Sequence, residues 1–126
     1  MNKKQFQIEF VFNKVSTQSL WKHLTTPPGL STWFADEILV DDDTYTFIWN
    51  KEEQIAEVVT KKPGHCLRLK WRDDEPQYFF EFKIQTNELT GSTMLTLTDF
   101  AEEEELQDAI NLWNIQIGDL QRTLGI

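Results

Sequence analysis

Residues 102–124 read EEEELQDAINLWNIQIGDLQRTL, and this stretch decides the fold class. Leu106, Ile110, Trp113, Ile117, Leu120 and Leu124 follow one another at steps of four and three residues. That spacing draws a single apolar stripe along an α-helix. The four glutamates before it fall in the first turn, where the helix dipole favours negative charge, and Asp99 is the expected cap of a capping-box-like start. A stripe of this length must be laid against something. Almost everything between Ile38 and Phe100 reads as strand, so the helix is expected to lie across a sheet.

Working back from the helix, period-two alternation repeats. Thr93 to Thr98 is the last strand, after a turn over Asn87 to Ser92. Tyr78, Phe80, Phe82 and Ile84 form the clearest inward row. Leu67, Leu69 and Trp71 alternate with Cys66, Arg68 and Lys70. Gln54 to Thr60 is another strand, closed by a turn at Lys61-Lys62-Pro63-Gly64. Tyr45, Phe47 and Trp49 share one face, and Glu37 to Val40 precedes them across the Asp41-Asp42-Asp43 turn. Nearer the start, Phe6, Ile8, Phe10 and Phe12 alternate with Gln7, Glu9, Val11 and Asn13. Ser16 or Thr17 caps a short helix through Leu24, with Leu20, Trp21 and Leu24 as its apolar face. Thr26 caps a second, opened by Pro27 or Pro28 and carrying Leu30, Trp33 and Phe34. The reading is α+β: a strand, two short helices, a meander making about seven strands in all, and one long helix, in a single domain over residues 1–126.

Composition narrows the partners. The chain has 126 residues, of which 40% are hydrophobic, enough for a core. Nine Phe, five Trp and two Tyr can fill that core or wall a pocket. A net charge of −9 repels a phosphate backbone, so nucleic acid is not an expected partner. No apolar run approaches the length of a membrane span, and the first residues turn polar too soon for a signal peptide. One cysteine, Cys66, makes neither an intrachain disulfide nor a zinc site. The expected location is cytoplasmic, with no cofactor and no metal. The glutamates at 102–105 point in different directions on a helix and do not converge as oxygen ligands must. The glycines Gly29, Gly64, Gly91, Gly118 and Gly125 are isolated, so there is no phosphate loop. His23 and His65 have no ligand-spaced neighbours and read as surface residues.

Two segments carry a resemblance. Leu20 to Phe34, LWKHLTTPPGLSTWF, resembles the W-x-x-L-T-x-P-x-x-L-x-x-W-F segment of the heat-shock-protein ATPase-activator homologue branch of the START-like (SRPBCC, helix-grip) superfamily. Thr98-Asp99-Phe100-Ala101, followed by Leu112-Trp113 and Leu120, resembles the closing strand and helix of that branch, especially in small bacterial START-like proteins. The resemblance implies a curved antiparallel sheet wrapped around the C-terminal helix, with hydrophobic or amphipathic small molecules held between them. In this short chain, that space is either small or filled by Trp33, Trp49, Trp71 and Trp113.

Periodicity then selects the candidate lining. Phe47, Trp49, Leu69, Trp71, Phe80, Phe82 and Leu97 come from the sheet. Trp33, Phe34, Ile110, Trp113 and Ile117 come from the helices. No catalytic residue is expected, and Tyr45 and Tyr78 are the only titratable groups on the inward rows. The leading reading is a non-enzymatic module for a small hydrophobic or amphipathic ligand. The alternatives are a protein-interaction or chaperone co-factor domain, and a cyclase- or hydrolase-like enzyme using the same cavity. Ile115 points nearly opposite the apolar stripe and Leu112 flanks it, so a homodimer through the outer helix face is a candidate assembly.

Overall fold

A computed structural model describes residues 2–126. Seven strands form one antiparallel sheet: β1 (Lys4–Phe12), β2 (Glu37–Asp41), β3 (Thr44–Trp49), β4 (Glu52–Lys62), β5 (Cys66–Trp71), β6 (Phe80–Thr86) and β7 (Thr93–Ala101). Their order across the sheet is β1-β7-β6-β5-β4-β3-β2. Helices α1 (Thr17–Thr25) and α2 (Pro27–Leu30) link β1 to β2, and α3 (Leu106–Thr123) closes the chain. The meander is local: each of β2 to β6 pairs with the next strand. The link between β3 and β4 is a two-residue hairpin turn at Asn50 and Lys51, both at positive φ, the geometry that matches strand twist. Only β1 is brought in from afar. It pairs with β7 from Lys4↔Ala101 to Phe12↔Thr93.

The alternating rows fall as the sequence predicts. Phe12, Tyr45, Phe47, Leu67, Leu69, Phe80, Phe82, Ile84, Leu95 and Leu97 are buried in one cluster with Trp113, Ile117 and Leu120 of α3. We call this the inner face of the sheet. Ser16 caps α1, its hydroxyl accepting from Ser19 N–H at 3.0 Å, and Thr26 caps α2 by accepting from Gly29 N–H at 3.2 Å. No helix among the described residues is long and apolar enough to cross a membrane.

Five details differ from the sequence reading. Asp99 is not a helix cap: β7 runs on to Ala101 because β1 offers it ladder partners as far as Lys4. The acidic run does not form the first α-turn. Glu103–Glu105 make a 3-10 turn, and α3 begins at Leu106 with no side-chain cap. Tyr78 precedes β6 and leaves its inward row. It is buried instead against Phe100, 5.3 Å between ring centroids, with its hydroxyl accepting from Lys3 N–H at 3.0 Å. Finally, α2 ends at Leu30, and Lys61 and Lys62 belong to β4 rather than to the following turn. Trp33 and Phe34 therefore sit in the turn after α2, where Phe34 N–H donates to Leu30 C=O at 2.9 Å.

Candidate functional site

The turn after α2 drives two aromatic rings under the sheet. Gly29 makes this possible. A Cβ there would lie 2.3 Å from Lys22 O and 2.5 Å from His23 Cα, so only glycine lets α2 pack this close to α1. From the turn, Trp33 donates its indole N–H to His23 C=O at 2.8 Å. Phe34 projects into the middle of the inner face.

Phe34 touches six other rings. Trp33, Phe47 and Trp49 lie at 5.2, 5.1 and 5.4 Å, and Trp113 stacks on it at 5.7 Å with only 17° between planes. Phe80 and Phe82 complete the shell at 6.2 and 6.4 Å. Trp71 joins through Phe80, stacked at 4.9 Å, and through Trp49 at 6.2 Å. These separations are those of rings in direct contact. The space between sheet and helix around Phe34 is therefore filled by side chains.

The structure thus brings together eleven of the twelve periodicity-selected residues. Leu69, Leu97 and Ile117 are buried in the same cluster as the eight aromatics, while Ile110 is half-buried on α3 and lies outside it. Trp49 and Trp71 are only half-buried and form its rim. Beside them, Trp33, Phe34, Trp49 and Asp119 line a shallow cleft of about 190 Å³.

Polar groups pin most of these rings. Trp49 donates to Phe34 C=O at 2.7 Å, Trp113 to the Asp99 carboxylate at 2.9 Å, and Tyr45 to Thr25 C=O at 2.8 Å. Of the five tryptophans in or against the cluster, Trp33, Trp49 and Trp113 donate their indole N–H, while Trp71 and Trp21 have no acceptor among the described residues. Burial pushes the Tyr45 hydroxyl up, with help from Asp43. Burial also raises the Asp99 carboxyl above its ordinary value, against the opposing pull of Trp113 and Phe100 N–H. Both Asp99 oxygens are taken up by those donors, so the group ties α3 to β7. Burial pulls the Lys3 ammonium down, but the hydrogen bond and charge of Asp74, 2.8 Å away, outweigh it and hold Lys3 above its usual range.

The inward rows did not reveal the Asp99–Trp113 tie or a charged row on the outer face of the sheet. There Arg68 faces Glu81 across β5 and β6, with Nε donating to the carboxylate at 2.7 Å. Their alternation with Leu67, Leu69, Phe80 and Phe82 was visible; their pairing needs the strand register.

This framework matches a family model for the START-like superfamily domain over residues 1–126. The chain belongs to the START-like superfamily. The fold of that superfamily commonly binds hydrophobic ligands. Among solved structures, the BfR322 protein of Bacteroides fragilis is 41% identical, with a TM-score of 0.72 over 100% of this chain and 94% of its own. An Aha1 dimer from Colwellia psychrerythraea shares the START-like fold at 20% identity and a TM-score of 0.76, covering 100% of this chain and 98% of its own. CalU16 of Micromonospora echinospora does so at 16% identity and 0.76, covering 98% of this chain and 75% of its own. No curated protein matches the chain in sequence.

Proposed function

We propose that this START-like chain is a non-enzymatic binding module for a small, flat hydrophobic or amphipathic molecule, taken up against the rim of the aromatic cluster at Trp49 and Trp71. Trp71 carries the reading. Its ring is half-buried, backed by Phe80 at 4.9 Å and Phe47 at 5.5 Å, and its N–H has no acceptor among the described residues. A rigid apolar face with one unspent donor suits a ligand that has an apolar body and a polar end. The filled interior around Phe34 limits the ligand to a small one, since a long chain would have to displace packed rings.

The test is an NMR titration of the folded protein with 1-anilinonaphthalene-8-sulfonate and, separately, dodecanoate. The Trp49 and Trp71 indole N–H signals should move in a saturable way. The naphthalene probe should bind at least as well as the fatty acid, and a folded Trp71→Ala protein should lose the effect. Saturable shifts confined to other surfaces, or none with either probe, would overturn the proposal.

A second copy of the chain is the partner we propose for the outer face of α3. Leu112 and Ile115 stand 56% and 63% exposed there, one turn apart on the helix side away from the core. Sedimentation of wild type against a Leu112→Glu, Ile115→Glu double variant tests this. A dimer abolished by the substitutions supports it, and a wild-type monomer at high concentration refutes it.

A further inference from the structure

On the outer face of the sheet, opposite the aromatic cluster and carrying Glu9, Glu53 and Glu57 elsewhere, one region across β4 to β6 gathers Lys62, Arg68 and Lys83 in a protein whose net charge is −9. The strand register explains how. Lys62 of β4 pairs with Cys66 of β5, and Cys66 pairs with Lys83 of β6, so the three share one row across adjacent strands. Neighbouring strands lie about 4.8 Å apart, which sets the two lysines about 10 Å apart at the backbone. The residue between them is small and buried, so it forms a floor rather than a ridge. In the next row Thr60 pairs with Arg68, and Arg68 pairs with Glu81. The β4 bulge between Val58 and Thr60 falls at this point. Together these residues and His65 line a depression of about 460 Å³, within the size range of small-molecule sites.

The charges there are not balanced internally. Glu81, buried at 6% exposure, is occupied by Arg68. Lys62 and Lys83 have no ion-pair or hydrogen-bond partner among the described residues, although acidic side chains outnumber basic ones in the chain by 21 to 12. Two unpaired lysines over a small buried floor, backed by an arginine and an imidazole, make a cradle for a compact dianion.

We propose that this depression binds a small phosphate monoester, with the phosphate between Lys62 and Lys83 above Cys66. His65, Ile84 and Gln85 also line an adjoining depression of about 610 Å³, which gives the body of the ester room to extend past His65. The adjoining surface mixes the polar groups of Thr17, Asn87 and Ser92 with the apolar side chains of Ile84 and Met94, so the body it suits bears hydroxyl groups along with an apolar face.

The experiment is an NMR titration of the intact chain at fixed ionic strength with inorganic phosphate, glucose 6-phosphate and glucose, each to about 10 mM. Glucose 6-phosphate should produce saturable shifts at His65, Cys66 and Lys83 and bind more tightly than inorganic phosphate, and glucose alone should produce none. Lys62→Gln and Lys83→Gln are exposed changes that leave the core intact, and each should weaken both anions by about five-fold. A Trp71→Ala protein should bind the phosphates as wild type does, which separates this site from the aromatic rim. Non-saturating shifts, or shifts matched by equal chloride, or affinity unchanged in both lysine variants, would overturn the proposal. Equal affinity for phosphate and glucose 6-phosphate would overturn the part assigned to the adjoining depression.

Discussion

Replacing Phe34 by alanine tests whether the interior is filled, and so what size of molecule the fold can admit. The ring is buried and contacts six others at 5.1 to 6.4 Å. A Phe→Ala change in a tight core costs about 3–5 kcal/mol, the lost transfer energy plus the cavity left behind. Because the neighbours are mostly rigid rings held by hydrogen bonds at Trp33, Trp49 and Trp113, they cannot collapse into the gap, so the upper part of that range applies. A domain is stable by only about 5–15 kcal/mol, so the variant should lose a third or more of its stability. Phe34→Leu keeps most of the volume and should cost less than about 2 kcal/mol. The assay is urea unfolding followed by tryptophan emission, since Trp33, Trp49 and Trp113 all border the deleted ring. A second readout follows from the cavity. A dry apolar void lined by aromatics should take up benzene, and saturating benzene should restore part of the lost stability by mass action. A loss below about 1.5 kcal/mol with an unchanged denaturant slope would refute the reasoning. It would mean that the surroundings of Phe34 already contain open space, and that the fold admits a larger ligand than the packed rings allow.

Two further outcomes follow. Asp99→Ala removes the acceptor of the Trp113 N–H and should cost about 1–3 kcal/mol at neutral pH. Because burial raises the Asp99 carboxyl above its ordinary 3.8, the folded state binds this proton more tightly than the unfolded chain. The stabilisation from that proton is complete below 3.8 and is lost as pH rises through the raised value, so the gap between wild type and Asp99→Ala should widen on acidification from neutral pH. Urea midpoints at neutral and mildly acidic pH check this, and a gap that narrows instead refutes it. Gly29→Ala forces a Cβ onto the Lys22 and His23 backbone and should cost about 1–3 kcal/mol by pushing α2 off α1. Thermal unfolding reads the loss, and the Trp33 indole N–H resonance should shift as its bond to His23 C=O breaks.

Much of the fold was legible because it rests on period. Alternation placed Phe47 and Trp49, Leu67 and Leu69, and Phe80 and Phe82 on the inner face, and the four-and-three stripe oriented α3 toward them. Where the reading failed, a distant partner overrode a local signal. Asp99 followed by acidic residues looks like a helix start, yet β1, more than ninety residues away in sequence, extends β7 past it. Tyr78 fits an alternating row, yet β6 begins only at Phe80, and Phe100 and Lys3 claim its ring and hydroxyl. The outer row of Lys62, Cys66 and Lys83 draws on three strands, and no local pattern encodes register across strands. Whether the aromatic residues enclose a void or pack against one another was equally invisible, because periodicity tells where a ring points and not what it touches. The structure answers for Phe34, whose shell is made of other rings.

The pairing of β1 with β7 has a consequence for how the chain is made. During synthesis β1 leaves the ribosome before the other six strands, with Phe6, Ile8, Phe10 and Phe12 along one side, but its only strand partner ends at Ala101. Every other neighbour in the sheet is a short hairpin that can close as it emerges. β1 therefore waits, apolar and unpaired, until Ala101 has emerged, and its docking on β7 closes the sheet in one late step. A variant truncated before β7 should thus leave that strand permanently exposed and be prone to aggregation, however well its central meander forms.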